Sequence, residues 1–319
     1  QPLLADRLVA TLEQIMEQRR RTASKFFPVY QPALNFDFRT GNLPPEITFS
    51  RASTATFVGS NGLIQTAAAN VPRFNYNPAL SQIPRLLVEA EATVNLAIQS
   101  EDFTDAAWTA FNLTPTSNAA TAPDGTVTAD KLAETVDNTA HLISQARTVV
   151  ASTVYTWSVF FSAAENARVQ ISVDDGSSNG FFANVNLSTG LITRAELAGT
   201  GTYTQSKLEA FRDGRYRLQV SGTIGAVTVA RCAVALIPAD NSGLFPSYIG
   251  TAGNGVYAWG TQLEARAFAS SYTGRTLAAA ATRAADSAVV SGANFGKWFN
   301  PWTGTFAVKG VTPVGLSSV

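Results

Sequence analysis

Between residues 96 and 272 the chain consists of short segments in which apolar and polar residues loosely alternate. Turn-forming residues end each segment. Successive side chains of a β-strand point to opposite faces, so this alternation is typical of strands with one buried face. Many short strands at this spacing predict an antiparallel β-sandwich or jelly roll. The clearest runs are 153–161, 168–173, 181–187, 216–224, 227–237 and 255–264, with Gly, Asn, Asp and Ser-rich breaks at 174–180, 188–190 and 213–214.

The low and balanced charge of the chain argues against several classes of function. Charged residues make up 14% of the sequence, 23 basic against 23 acidic, whereas a nucleic-acid-binding surface needs a basic excess to displace counterions. No apolar run approaches the roughly 20 residues of a membrane-spanning helix. We therefore expect neither nucleic-acid binding nor membrane insertion. The single cysteine, Cys232, lies in an apolar run and is predicted to be a packed thiol.

Residues that could perform catalysis are few. The one histidine, His141, is not accompanied by a nucleophile motif, so we interpret it as a strand-edge residue. Paired carboxylates could cleave a glycosidic bond across a groove, but adjacent pairs in this chain fall in evident turns. The candidates are Glu101, Asp102, Asp174, Asp175 and Glu264. We expect no enzymatic activity, no cofactor and no catalytic metal, and a calcium ion held by turn carboxylates stays open as an alternative.

The first part of the chain, residues 1–45, is predicted to serve assembly or attachment. Residues 3–22 form a predicted helix, because Leu8, Leu12 and Ile15 repeat at helical spacing. This apolar face either packs on the chain's own β domain or bundles with other copies or with a partner. Residues 25–45 combine prolines with aromatic residues, including Phe26 and Phe27, and predict an extended strap laid on another surface.

Residues 48–76 predict a β-hairpin that stiffens the connection to the sandwich. Two extended runs flank Gly59, Asn61 and Gly62, and Asn and Gly accept the positive φ angles that such turns require. Pro72 then closes the unit, because proline cannot donate to a continuing ladder. Nothing in this segment points to catalysis.

The same segment carries a resemblance to a known family. Seven strings follow one another along the chain: FSRASTATFVGSNGLI, AAANVPRFNY, LLVEAEATVNL, SEDFTDAAW, APDGT, ADKL and YAWGTQLE. Together they resemble a module of tailed-phage virion proteins found in tail, spike or head-fibre polypeptides. Val94 departs from the usual pattern. The resemblance covers residues 46–290 and implies a structural role in the virion, in a fibre, spike or tail appendage.

The strand pattern of residues 96–272 also looks like the galactose-binding-like jelly roll shared by many carbohydrate-binding modules, and the family resemblance implies host-surface attachment. The same resemblance implies a homo-oligomer, most commonly a trimer, which contacts other virion proteins and a host-surface polysaccharide. The alternatives are a polysaccharide-degrading tailspike and a purely structural adaptor or decoration protein. The aromatic residues after 294 resemble the start of a further lectin-like domain, so we expect a longer polypeptide.

The chain divides into four predicted segments: 1–45 (helix and strap), 46–95 (hairpin connector), 96–275 (sandwich) and 276–319 (linker and start of a further β domain). Within the last segment, the alanine-rich residues 277–286 are predicted to be a linker or a short helix.

The loop at 174–182 is the predicted glycan-binding surface. Polar and aromatic groups converge there, and aromatic rings can stack on the apolar faces of sugars. The residues concerned are Asp174, Asp175, Asn179, Phe181 and Phe182.

The first testable prediction concerns assembly. Leu8, Leu12, Ile15, Phe26 and Phe27 should be buried between chains, so light scattering of residues 1–319 should show an oligomer. Deletion of residues 1–45 should abolish assembly and leave the far-ultraviolet circular dichroism of the sandwich unchanged. A stable monomer of the full chain at micromolar concentration would contradict this prediction.

Overall fold

The computed structural model describes residues 34–79, 83–177, 179–302, 304–305, 307–308 and 310. The predicted helix at 3–22 lies outside the described residues, as do Leu8, Leu12, Ile15, Phe26 and Phe27. Their role in assembly stays a prediction.

Strands dominate the described part of the chain. Before the sandwich come β1 (Thr48–Ser50), β2 (Ala55–Val58), β3 (Ile64–Ala67), β4 (Arg73–Asn75), β5 (Arg85–Leu87) and β6 (Thr93–Asn95). The next strands are β7 (Thr109–Phe111), β8 (Leu113–Ala120), β9 (Ala129–Glu134), β10 (Asn138–Thr139), β11 (His141–Thr148), β12 (Tyr155–Ala163) and β13 (Arg168–Asp174). They are followed by β14 (Gly180–Asn186), β15 (Leu191–Ala198), β16 (Thr202–Ala210), β17 (Arg215–Thr223), β18 (Val229–Leu236), β19 (Tyr248–Ile249) and β20 (Gly255–Glu264). The last strands and helix of the described chain are β21 (Ala281–Arg283), β22 (Ser287–Val289) and the short helix α1 (Gly292–Gly296).

Two six-stranded sheets form the body of the protein. Sheet A has the order β15-β14-β13-β18-β11-β7, and sheet B has the order β16-β17-β12-β20-β9-β8. Neighbouring strands within both sheets are antiparallel. The predicted class, a mainly β protein built as an antiparallel sandwich, is confirmed.

The core lies between the two sheets. Trp157, Val159 and Phe161 of β12 face it from sheet B, and Val169 and Ile171 of β13 face it from sheet A. Every second side chain of these strands is apolar, which is the alternation that a half-buried strand requires. Cys232 is buried in the same core, so the predicted packed thiol is confirmed, and burial raises its pKa well above the ordinary value.

A second apolar cluster covers the outer face of sheet B. The predicted hairpin is confirmed, since β2 pairs with β3 from Ala55 opposite Ala67 to Val58 opposite Ile64. It does more than connect, because Val58 and Ile64 pack on the sandwich itself. The cluster also contains Phe160, Phe211, Trp259 and Tyr272.

A β-bulge at Gly260 determines which side chains of β20 reach that outer face. Between Ser158 and Phe160 on β12, the partner strand advances by three residues, from Gln262 to Trp259. The extra residue places both Trp259 and Gln262 on the outer face, although they are three positions apart. Gly260 has φ +61°, a conformation that favours glycine.

The segment predicted as a linker or short helix is partly a strand, and that prediction is wrong there. Residues 281–283 pair with β6, and β22 pairs with β1. Alanine-rich sequence permits several conformations, and here the charged residues at its end fix the strand. Arg283 and Asp286 are buried and take part in an ion cluster.

This cluster joins five charged residues from distant parts of the chain. Arg73 Nη2 contacts Glu89 Oε2 at 2.8 Å and also pairs with Asp286, whose other oxygen lies 3.2 Å from Arg51 Nη1. Arg283 pairs with Glu89 at 3.3 Å. Although burial opposes it, the charges of Arg283 and Arg73 lower the pKa of Glu89. We call these five residues the ion cluster.

The second testable prediction concerns the ion cluster. Asp286→Ala leaves Arg51 and Arg73 buried with one partner fewer, so it should lower the free energy of unfolding by about 3–5 kcal/mol. Chemical denaturation measures the change. Arg39→Ala is the control: it removes an exposed ion pair with Asp37, keeps the hydrogen bond from the backbone N–H of residue 39 to Asp37, and should leave the stability unchanged. If Asp286→Ala lowers the free energy of unfolding by no more than about 0.5 kcal/mol, as ordinary surface substitutions do, the prediction is refuted.

Candidate functional site

The polar residues of the predicted loop at 174–182 stabilise a turn. Asp174 is buried and pairs with Arg231 at 2.8 Å, while the Gly176 N–H donates to its carboxylate. Asn179 Nδ2 donates to Asp175 Oδ2 at 2.7 Å. Because Asp174, Asp175 and Asn179 hold the β13–β14 connection together, most of their hydrogen-bonding capacity is used within the protein.

Phe181 and Phe182 are 0% and 1% exposed. Phe181 points into the core between the sheets, and Phe182 lies on the opposite face beneath the guanidinium of Arg194, 5.8 Å from its ring centre. The prediction that these rings stack on a sugar is therefore wrong in this structure. The aromatic pair belongs to β14 and not to the loop, so strand alternation buries one ring and a neighbouring strand covers the other.

Part of the outer face of sheet A, around Gln170 and Asn184, is covered by the chain itself. Gln170 Nε2 donates to Gly243 O at 2.9 Å, and Asn184 Nδ2 donates to Ser242 O at 2.7 Å. The Phe245 N–H donates to Gln170 Oε1 at 3.0 Å. Two buried amide side chains thus hold the connection that follows β18 over this face.

His141 is buried at the first residue of β11. Its Nδ1 lies 2.6 Å from Asn112 O and its Nε2 lies 3.3 Å from Tyr248 O. The ring therefore joins three backbone segments, which is a structural role rather than a surface position at the edge of a sheet.

The outer face of sheet B leaves one row of side chains partly exposed. Tyr257 of β20 lies opposite Lys131 of β9 and opposite Ser162 of β12, and Ser162 lies opposite Arg215 of β17. Residues directly opposite each other share a face, so all four side chains lie side by side. Three strand spacings of roughly 4.8 Å give this row a length of about 14 Å. We call these four residues the Tyr257 row.

A small recess of about 10 Å³, room for about one water molecule, lies beside the Tyr257 row. Phe160 and Trp259 line it together with Tyr257 and Arg215, and Thr121 and Pro123 line it from the β8–β9 connection. The aromatic residues are fixed by ring contacts, with Trp259 5.4 Å from Phe160 and 4.8 Å from Tyr272 between centroids. Trp259 Nε1 also donates to Thr128 Oγ1 at 3.1 Å. This recess is therefore preformed.

Ion pairs stand at both ends of the Tyr257 row. Lys131 Nζ lies 2.8 Å from Glu165, and Arg215 Nη1 lies 3.1 Å from Asp213. Arg215 Nε also donates to Thr121 O at 3.0 Å. The hydrogen bond from Lys131 lowers the pKa of Glu165, which is therefore ionised at neutral pH. The row thus offers one aromatic ring, the hydroxyls of Tyr257 and Ser162, and two cations with two acidic partners.

The sequence pattern predicts only part of the recess and the Tyr257 row. The string YAWGTQLE carries part of the family resemblance, and a tryptophan inside a strand pattern is expected to be buried, as Trp259 is. Tyr257 is not singled out by the sequence because its role depends on the neighbouring strands. The signal that could have found it is the alternation within β20, which places Tyr257 and Trp259 on one face and Val256 and Ala258 on the other.

Two of the carboxylates considered for catalysis, Asp174 and Glu264, are buried and hydrogen-bonded, Glu264 by Thr93 and Ser270. Glu101 differs, because burial raises its pKa to about 7 while a hydrogen bond from the Tyr272 hydroxyl, 2.8 Å away, opposes the rise. In the part of the chain that the structure describes, no group of three or more His, Cys, Asp or Glu side chains could hold a metal ion. Among the same residues, no helix is long and apolar enough to cross a membrane.

No protein-family model and no curated protein matches this chain. Among solved structures, the chain is similar to a carbohydrate-binding module described as recognising mannan, with a TM-score of 0.30 and 11% identity. The match covers 56% of this chain and 98% of the module.

The third testable prediction concerns Glu101. A carboxyl with a raised pKa favours folding when it is protonated, so its contribution is present below pH 4.5 and is lost as the pH rises to about 7. Relative to Glu101→Gln, the wild type should lose about 1–3 kcal/mol of unfolding free energy across this interval. Denaturation curves of both proteins between pH 4 and pH 8 measure the difference. A difference that does not change with pH would contradict the raised pKa.

Proposed function

We propose that this chain is a non-enzymatic, glycan-binding β-sandwich of a tailed-phage virion protein, which takes part in attachment to the host surface. The observation that carries the glycan-binding part is the Tyr257 row beside its preformed recess. We also propose that the sandwich is a jelly roll of the galactose-binding-like kind.

The chemistry of the row suits a sugar chain. A partly exposed tyrosine ring can stack on the apolar face of a pyranose, and its fixed neighbours reduce the entropy lost on binding. Ser162, Lys131 and Arg215 provide hydrogen-bonding groups on both sides of Tyr257. The row is about 14 Å long, so it can contact several consecutive sugar units. An open strand face of this kind accepts the middle of a polymer as well as its end.

The positions of the sequence strings in the fold support the idea of one module. Arg51 belongs to FSRAST, Arg73 to VPRF and Glu89 to LLVE, and all three meet in the ion cluster. The strings that resemble phage virion proteins are therefore the ones that attach the hairpin to the sandwich. We propose on this basis a location in the virion, in a fibre, spike or tail appendage.

Assembly would strengthen a weak site. A single shallow row gives modest affinity, and several copies in one particle raise the effective concentration of the second binding event. We therefore propose a homo-oligomer, most simply a trimer, attached to other virion proteins.

The fourth testable prediction concerns the Tyr257 row. Tyr257→Leu keeps an apolar side chain but removes the aromatic face, so affinity for host-surface polysaccharide should fall roughly five- to tenfold. Phe111→Leu is the matched control, because it removes a half-exposed ring from sheet A and should leave binding unchanged. Calorimetric titration of the full chain measures both.

Three outcomes would separate the alternatives. Unchanged binding by Tyr257→Leu would remove the row from consideration. Release of new reducing ends from the polysaccharide would favour a depolymerising tailspike. Absence of binding to any polysaccharide, together with tight binding to a capsid or tail component, would favour a structural adaptor.

A further inference from the structure

In both ion pairs of the Tyr257 row, the side chain of the carboxylate is more exposed than that of the cation. The side chain of Lys131 is 22% exposed and that of its partner Glu165 is 48% exposed. The side chain of Arg215 is 14% exposed and that of Asp213 is 75% exposed. In both pairs the cation is mostly covered and the carboxylate is the more accessible partner, although Glu165 also accepts a hydrogen bond from the Gly255 N–H.

This difference in exposure decides which partner of each ion pair a ligand can replace. Arg215 is held by Thr121 O and by its position in β17, whereas Asp213 lies in the short turn before the strand. Exposed ion pairs contribute little to stability, because water solvates the released carboxylate well. The opposite holds in the ion cluster, where Asp286 and its arginine partners are buried on both sides.

We propose that the Tyr257 row takes an acidic glycan, whose sugar carboxylates replace Asp213 at Arg215 and Glu165 at Lys131. This inference rests on the proposed glycan-binding function and specifies its ligand class. Guanidinium and ammonium groups form strong charge-assisted hydrogen bonds with anionic oxygens, those of carboxylates included. Tyr257 lies between Lys131 and Arg215. When one sugar ring stacks on Tyr257, the adjacent sugar units of the same chain therefore lie next to these two cations.

The zero net charge of the chain is compatible with this ligand class. A neutral protein does not attract a polyanion from a distance, but short-range contacts need only local charge. Because Asp213 and Glu165 neutralise the row in the absence of ligand, the site avoids unspecific attraction of anions. They act as internal competitors for the ligand carboxylates.

This competition predicts a gain of binding. Asp213→Asn and Glu165→Gln each remove one competing carboxylate, so each should tighten binding of an acidic glycan about two- to fivefold. Asn suits the left-handed backbone of residue 213, where φ is +59°. Gln at 165 retains an oxygen that can accept from the Gly255 N–H, as Glu165 Oε2 does at 3.2 Å.

The matched control removes a carboxylate elsewhere. Glu196→Gln changes the net charge by the same amount and breaks a comparable exposed pair with Arg194 on sheet A. It should leave binding unchanged, which separates a local effect from an effect of overall charge. Arg215→Gln should weaken binding of the acidic glycan roughly tenfold or more.

The experiment uses the full chain and a panel of uronic-acid oligosaccharides, each paired with its carboxyl-reduced neutral form. We expect tighter binding of the acidic member, further tightening by Asp213→Asn or Glu165→Gln, and no effect of these two changes on the neutral member. Equal binding of both members, or no gain in either variant, would overturn the acidic-glycan inference and leave the proposed function intact. Binding of neither member by the wild type would count against both.

Discussion

The ion cluster is the constraint on which the arrangement of the rest depends. Arg51 and Arg73 come from the hairpin region, Glu89 from the segment after β5, and Asp286 from beyond the sandwich. A buried charge without its partner costs several kcal/mol, more than most single interactions contribute. The hairpin, the segment around residue 89 and residues 281–289 must therefore reach their positions together. The paired strands β1–β22 and β6–β21 are too short to hold these segments by backbone hydrogen bonds alone.

Fixing the hairpin has a consequence on the outer face of sheet B. Val58 and Ile64 cover one part of the aromatic cluster that contains Phe160 and Trp259. The part beyond the hairpin stays open as the Tyr257 row and its recess. The bulge at Gly260 is needed for both, because it brings Trp259 onto the outer face and leaves Leu263 in the core. The ion cluster thus positions the hairpin that bounds the candidate site, although no charge of the cluster belongs to the site.

Sequence alternation is sufficient to predict the sandwich, because a period of two and a turn-forming break are local signals. The runs at 168–173 and 255–264 are strands, and the break at 213–214 is a turn. The burial of Phe182 could not be predicted, since it depends on Arg194 from the next strand. The Tyr257 row escapes prediction for the same reason, because its members come from four strands. Arg51 and Asp286 are 235 residues apart, and no local pattern reveals such a pairing.

The candidate site and the ion cluster use the same residue types with opposite results, and solvent exposure is the physical difference. In the cluster, Asp286 is buried with its arginines, so its removal leaves charges that water cannot solvate. At the row, Asp213 can leave Arg215 and remain hydrated. The first arrangement holds segments together, and the second is the one that our proposal assigns to exchange with an external carboxylate. A sequence with only 14% charged residues thus uses its charges for two purposes, and depth in the fold determines which purpose each one serves.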